Sequence, residues 1–168
     1  MVSFLDSTGR SYSLAAHQLP SARGQGEPLT GKLSPPTNAN FCAIHTGAES
    51  DLVLMSSDAG YGYVCRYGDM VSNKKTGKAQ ISLPSQAKVL VPKTVDAIED
   101  SFVVSVSNCG RMLIFPLADL PMLSRGKGNK IINIPSSKLQ AREEYMVDII
   151  VYQPGQTLMV YSLSLIHI

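Results

Sequence analysis

The sequence predicts an all-β, propeller-like domain built from blade repeats of roughly fifty residues. Three observations lead there. The stretches Gly9-Arg10-Ser11-Tyr12-Ser13-Leu14, Gly60-Tyr61-Gly62-Tyr63-Val64-Cys65 and Gly110-Arg111-Met112-Leu113-Ile114-Phe115 share one pattern, and their leading glycines are 51 and 50 residues apart. Each is followed by a Gly-rich basic loop: Arg23-Gly24-Gln25-Gly26, Lys74-Lys75-Thr76-Gly77-Lys78 and Arg125-Gly126-Lys127-Gly128. Each loop then runs into an apolar residue shortly before proline, in Leu33-Ser34-Pro35, Leu83-Pro84 and Ile134-Pro135.

The elements follow in order. Val2-Ser3-Phe4-Leu5-Asp6-Ser7-Thr8-Gly9 reads as a strand and turn whose preceding part is cut away. Asp51-Leu52-Val53-Leu54-Met55-Ser56 and Ser101-Phe102-Val103-Val104-Ser105-Val106 are strand-length and β-rich. Each ends in a polar turn, Ser57-Asp58-Ala59-Gly60 or Ser107-Asn108-Cys109-Gly110, and a second β-rich run follows at 61–67 and 111–117. An Asp or Asn near Gly between two such runs is a hairpin signal. Met146-Val147-Asp148-Ile149-Ile150-Val151-Tyr152 begins a further unit, with residues 157–161 as the expected neighbouring strand. His17-Gln18-Leu19-Pro20 and Asp119-Leu120-Pro121 suit single helical turns, and residues 137–146 a short helix. Ten prolines and thirteen glycines break anything longer. The expected organisation is one domain over 1–162, with units at about 1–40, 41–90, 91–140 and 141–162 and both ends truncated. The final hexapeptide, Leu163-Ser164-Leu165-Ile166-His167-Ile168, is the translation of a transposase mosaic-end DNA sequence, so residues 163–168 are expected to be adapter-derived.

A chain of 168 residues with 44% hydrophobic and 17% charged residues can build a real core. It contains no apolar run long enough for a membrane helix, so no membrane embedding is expected, and the N-terminus has no signal-peptide pattern. Cys42, Cys65 and Cys109 are odd in number and widely spaced, which argues against a disulfide framework or zinc site and fits a reducing cytoplasm.

The net charge of +2 is unevenly distributed. Residues 21–32, 72–80 and 124–130 carry Arg23, Lys32, Lys74, Lys75, Lys78, Arg125, Lys127 and Lys130 against the single acid Glu27, while the other 140 residues carry a net −5. A basic stripe on a slightly acidic body is the footprint of a phosphate-backbone binder. In a ring, equivalent loops of successive blades fall on one rim, which would turn three loops into one curved track for a polyanion. Glycine lets backbone N–H groups approach phosphate closely, and Lys and Arg release counterions.

Other chemistry finds little support. Gly26-Glu27-Pro28-Leu29-Thr30-Gly31-Lys32-Leu33 imitates a nucleotide phosphate loop but puts Leu33 where a magnesium-binding hydroxyl belongs. His17 and His45 have no partner at metal-ligand spacing, and no metal or catalytic residue is assigned. Asp96, Glu99 and Asp100 read as a solvated turn, and Tyr12, Tyr61, Tyr63 and Tyr67 as packing residues of strands.

Asp6-Ser7-Thr8-Gly9-Arg10-Ser11-Tyr12, the stretch Leu19-Pro20-Ser21-Ala22-Arg23-Gly24-Gln25-Gly26 continuing to Leu33, Ser57-Asp58-Ala59-Gly60-Tyr61-Gly62, and Arg125-Gly126-Lys127-Gly128-Asn129-Lys130-Ile131-Ile132-Asn133-Ile134-Pro135 resemble the C-terminal domain of the A subunit of bacterial DNA topoisomerase IV. The resemblance implies a β-pinwheel related to the C-terminal domain of the gyrase A subunit, with a basic rim that binds and bends double-stranded DNA. It implies an accessory role in a type IIA topoisomerase (an isomerase), selecting DNA for decatenation and relaxation during chromosome segregation. It further implies a heterotetramer with the B subunit of topoisomerase IV, a bacterial cytoplasmic setting, and ATP and magnesium used through other domains or that partner, with no cofactor in this fragment. Ala22-Arg23-Gly24-Gln25-Gly26 stands in place of the gyrase box but lacks its second arginine and its lysine, which counts against gyrase-like wrapping. The alternatives are a gyrase C-terminal domain and a propeller-like module that binds an acidic protein.

Overall fold

A computed structural model describes residues 1–21 and 23–161; the expectation for residues 163–168 lies outside this range. The elements in chain order are β1 (Val2–Asp6), β2 (Arg10–Leu14), β3 (Phe41–Thr46), β4 (Leu52–Ser57), β5 (Tyr61–Arg66), β6 (Lys78–Ala79), β7 (Lys93–Val95), β8 (Phe102–Ser107), β9 (Met112–Pro116), β10 (Asn129–Lys130), α1 (Ser136–Gln140) and β11 (Met146–Tyr152). Short 3-10 turns at Ala16–Gln18, Leu29–Gly31, Tyr67–Asp69 and Leu117–Asp119 fill some of the connections. The fold is all-β and propeller-like.

Three antiparallel sheets form, in the orders β3-β1-β2-β6, β10-β5-β4-β7 and β11-β8-β9. Each centres on one of the expected hairpins: β1–β2, β4–β5 or β8–β9. The sheets do not coincide with contiguous sequence units. The fourth strand of the first sheet, β6, comes from the second basic loop, with Arg10 opposite Ala79 and Ser11 opposite Lys78. The fourth strand of the second sheet, β10, comes from the third basic loop, with Tyr61 opposite Lys130 and Gly62 opposite Asn129. The carbonyl of Gly9 accepts the N–H groups of Gln80 and Ile81, and that of Gly60 accepts those of Ile131 and Ile132. The third sheet has three strands among the described residues. Its outer strand β9 leaves Met112, Leu113 and Ile114 exposed, whereas β2 and β5 are almost wholly buried.

A second repeated device closes each hairpin turn. Ser7 donates its N–H to the Asn40 carbonyl (2.7 Å), and its Oγ accepts the Asn40 N–H (3.1 Å). Asp58 does the same with Lys88 (2.9 and 2.7 Å), and Asn108 with Tyr145 (3.0 and 2.9 Å). Ser, Asp and Asn are the residue types whose short side chains satisfy nearby backbone donors. The clasp ties each turn to the segment leading into the third strand of its own sheet.

Side-chain alternation sends one face of each sheet into the core. Tyr12, Tyr63 and Tyr67 are buried packing residues, as expected. Tyr12 donates its hydroxyl to the buried Asp6 carboxylate (2.6 Å), and Tyr63 donates to the Gln80 carbonyl (2.5 Å). Both phenols are pushed to higher pKa, by burial first. Two expectations fail locally. Residues 157–161 form no strand beside β11; Pro154-Gly155 make a turn, and residues 156–161 are irregular. The helix expected over 137–146 is confined to Ser136–Gln140, because Arg142 takes a left-handed φ of 57° and Met146 already belongs to β11.

Candidate nucleic-acid interface

The three basic loops meet at the junctions between sheets, because each of the last two supplies an edge strand to the preceding hairpin. In the first loop, Leu33 is buried against the cluster containing Tyr12 and Leu14, which anchors the loop's C-terminal end. Lys32 donates to the Gln18 carbonyl (2.5 Å) and pairs with Glu27 (3.3 Å). Ser34 donates its N–H to the Lys75 carbonyl (2.8 Å), joining the first loop to the second. Lys32, Lys74 and Lys75 thereby line one groove of about 870 Å³, with His17 and Glu27 on its walls.

Lys74 also borders the next groove, of about 510 Å³, with Arg10, Lys78 and Arg125. The Arg10 guanidinium donates to the carbonyls of Thr76 (3.0 Å) and Gly77 (3.1 Å), holding the second loop in shape. Lys78 has its pKa lowered, by burial first and also by the like charge of Arg125; Asp69 and Cys65 oppose the shift. Holding two cations together in a partly dry place stores a preference for an anion.

Lys127 and Lys130 line a third groove of about 250 Å³ with Tyr61 and Asn133. Lys127 Nζ lies 3.9 Å from the Tyr61 ring centroid, a cation–π contact, and Lys130 donates to Asn133 Oδ1 (2.9 Å). Arg23 is exposed and lines none of these three grooves. The arrangement thus gathers seven of the eight candidate cations, Lys32, Lys74, Lys75, Lys78, Arg125, Lys127 and Lys130, around three grooves, two of which share Lys74.

Sequence reasoning missed Arg10 and the role of Tyr61. The signal was present, because both directly follow a marker glycine, as does Arg111. Arg111 donates to the Asn133 carbonyl (2.7 Å) and, through Nε, to the buried Glu144 carboxylate (2.6 Å). All three residues at this repeat position therefore grip a segment at or just after a basic loop. Asp96, Glu99 and Asp100 are exposed in the segment after β7 and line none of the grooves. His45 packs against Tyr67 with ring centroids 5.7 Å apart, and burial lowers its pKa. No cluster of His, Cys, Asp or Glu able to hold a metal occurs among the described residues.

Comparison with known proteins agrees with this architecture. The profile of the DNA gyrase C-terminal domain, a beta-propeller, matches residues 101–152. The A subunit of DNA topoisomerase 4 from Pseudomonas aeruginosa is 48% identical over 159 residues, covering 95% of this chain and 21% of that protein. The Haemophilus influenzae counterpart is 50% identical over 161 residues, covering 96% of this chain and 21% of that protein. The chain thus spans about a fifth of the length of these curated relatives. The solved Escherichia coli ParC C-terminal domain superposes with a TM-score of 0.87 at 47% identity, over 90% of this chain and 62% of that one. The DNA gyrase A C-terminal domain shares the fold at a TM-score of 0.67 and 17% identity, over 90% of this chain and 50% of that one. By these sequence and structural matches, the chain belongs to the family of C-terminal domains found in the A subunit of DNA topoisomerase 4, propeller-like relatives of the gyrase A C-terminal domain.

Proposed function

We propose that this chain is a DNA-binding and DNA-bending accessory module of a type IIA topoisomerase, acting on duplex DNA through its basic loops. The observation that carries the reading is the juxtaposition of Lys74, Lys78 and Arg125 with Arg10 around one groove, with Lys32 and Lys75 in a second groove that shares Lys74, and with Lys127 and Lys130 in a third. Strand pairing brings the loops together, but it does not require that they carry cations. A polyanion gives a reason for the cations. Phosphate contacts of this kind position a duplex without reading its bases. Bending over a curved track costs on the order of 1–6 kcal/mol, which several phosphate contacts offset.

In the parent enzyme the module would help choose and present DNA for decatenation and relaxation. ATP and magnesium would act through other domains or through the B subunit of topoisomerase IV, in the bacterial cytoplasm. The degenerate segment Ala22-Arg23-Gly24-Gln25-Gly26 favours this role over active introduction of negative supercoils. The test is fluorescence anisotropy with two unrelated duplexes of equal length, competed by an acidic protein. Similar affinity for both duplexes, falling steeply with salt, supports the reading. Binding to the acidic protein with none to either duplex overturns it in favour of a protein-interaction module.

A further inference from the structure

Among the described residues, the second and third basic loops are not merely neighbours; they are hydrogen-bonded into one ribbon. Gly126 donates its N–H to the Gln80 carbonyl (3.1 Å), and Ser82 donates its N–H to the Gly126 carbonyl (2.9 Å). Ile81 and Gly126 form an isolated parallel bridge. The Gln80 side chain, 1% exposed, donates its amide to the Ser124 carbonyl (2.8 Å). Gln80 is a polar residue at a place where the next unit, at the same register on its partner strand, has the apolar Ile131. Its buried amide oxygen has no partner, so it is retained at a cost that packing alone does not explain. The clasp sits between Lys78 on one loop and Arg125 and Lys127 on the other.

We infer that the clasp formed by Gln80, Ser124 and Gly126 fixes the spacing between the second and third basic loops, so that the two engage a duplex as one rigid ribbon. This rests on the DNA-binding reading and adds to it positioning residues that carry no charge. The physical reason is preorganisation: loops held at a set spacing spend no binding free energy on being ordered when phosphates arrive. It also makes the bend imposed on DNA a property of the clasp as well as of the charges.

Gly126 gives a clean perturbation. Its φ is 136°, a conformation that side chains rarely adopt, yet a Cβ added there would meet nothing within 4 Å. Gly126→Ala therefore disturbs the backbone of the clasp without a steric clash and without changing charge. Gly110→Ala is the control, since Gly110 also has positive φ (77°) and open space but belongs to no basic loop. The experiment measures duplex affinity by anisotropy across a salt series, and bend by end-to-end energy transfer on a doubly labelled duplex. Gly126→Ala is expected to weaken binding about three- to tenfold with an unchanged salt slope and a smaller bend, and Gly110→Ala to leave both as in the native protein. Gln80→Met, which removes only the amide contacts, should act in the same direction and serves if Gly126→Ala does not fold. Native affinity and bend in a folded Gly126→Ala variant, or in Gln80→Met where only that one folds, would overturn the inference. A loss of salt slope would do so too, by showing that charge contacts had gone instead. A native protein that binds no duplex removes the DNA-binding reading itself, and this inference with it.

Discussion

Gly60→Ala and Gly110→Ala should differ sharply in cost, although the two glycines occupy the same place in successive units. Gly60 has φ +79° and Gly110 has φ +77°. Alanine at either site carries left-handed backbone strain of about 1–2 kcal/mol. At Gly60 an added Cβ would also collide with the carbonyl oxygen of Ile132, whereas at Gly110 it meets nothing within 4 Å. The Ile132 backbone is not free to move, because Ile131 and Ile132 both donate N–H groups to the Gly60 carbonyl and their side chains are buried. Forcing it aside adds an overpacking cost of about 1–3 kcal/mol. The expected loss is therefore about 2–5 kcal/mol at Gly60 against about 1–2 kcal/mol at Gly110. Urea unfolding of the two variants beside the native chain measures this, as the midpoint shift at constant m-value. Equal losses at the two sites, or a larger loss at Gly110, would refute the account in which the segment ending the next unit's basic loop packs onto Gly60 as it does onto Gly9.

Further outcomes follow from individual side chains. Burial, and then Asp6, push the Cys42 thiol up to about 11, and Cys65 is fully buried with its thiol pushed up to about 12. Alkylation at pH 8, mapped by mass spectrometry, should therefore modify Cys109 well before the buried Cys65, and before Cys42, which is also exposed but donates its thiol to the Leu5 carbonyl (3.3 Å). Burial lowers the His45 pKa, so the unfolded state binds this proton more readily than the folded one. The His45 contribution is intact above its unfolded pKa and is lost as pH falls below it, so His45→Gln should flatten the decline in melting temperature from pH 7 to pH 5. Glu144 is buried between Arg111 and Lys138, both about half exposed. Glu144→Gln should cost about 1–2 kcal/mol by thermal unfolding, less than the 3–5 kcal/mol for breaking a fully buried pair, because both cations regain water.

The hairpins were legible because turn chemistry and β-rich runs are local signals: Asp58 and Gly60, then Asn108 and Gly110, mark the turns that the structure contains. The run Met146 to Tyr152 reads as a strand and is one, β11. Less visible were β6 and β10, two residues each, which have no periodicity to detect and exist only because the hairpin of the preceding unit offers them an edge. That pairing is also what makes sheets and sequence units differ. Residues 157–161 look strand-like by composition, but after the turn at Pro154-Gly155 they form no ladder with the free edge of β11 or of β9. At the candidate interface the charges were countable in the sequence, whereas Arg10 was not assigned because its work, donating to Thr76 and Gly77 carbonyls, spans 66 residues. The Gln80–Gly126 clasp is likewise a pairing of distant loops that no single-segment pattern contains.

The most direct test of the account is the salt dependence of duplex binding by the Lys74→Ala, Lys75→Ala, Lys78→Ala triple variant. Each phosphate neutralised on duplex DNA contributes about 0.9 to the slope of log K against log salt, so the slope should fall by up to about three units. The fall should be smaller if Lys78, half-buried beside Arg125, acts mainly through its field. The loss of affinity should be similar for two unrelated sequences, and replacing Asp96, Glu99 and Asp100 should change neither quantity. An unchanged slope in a folded triple variant would place the second basic loop off the DNA path and contradict the central claim.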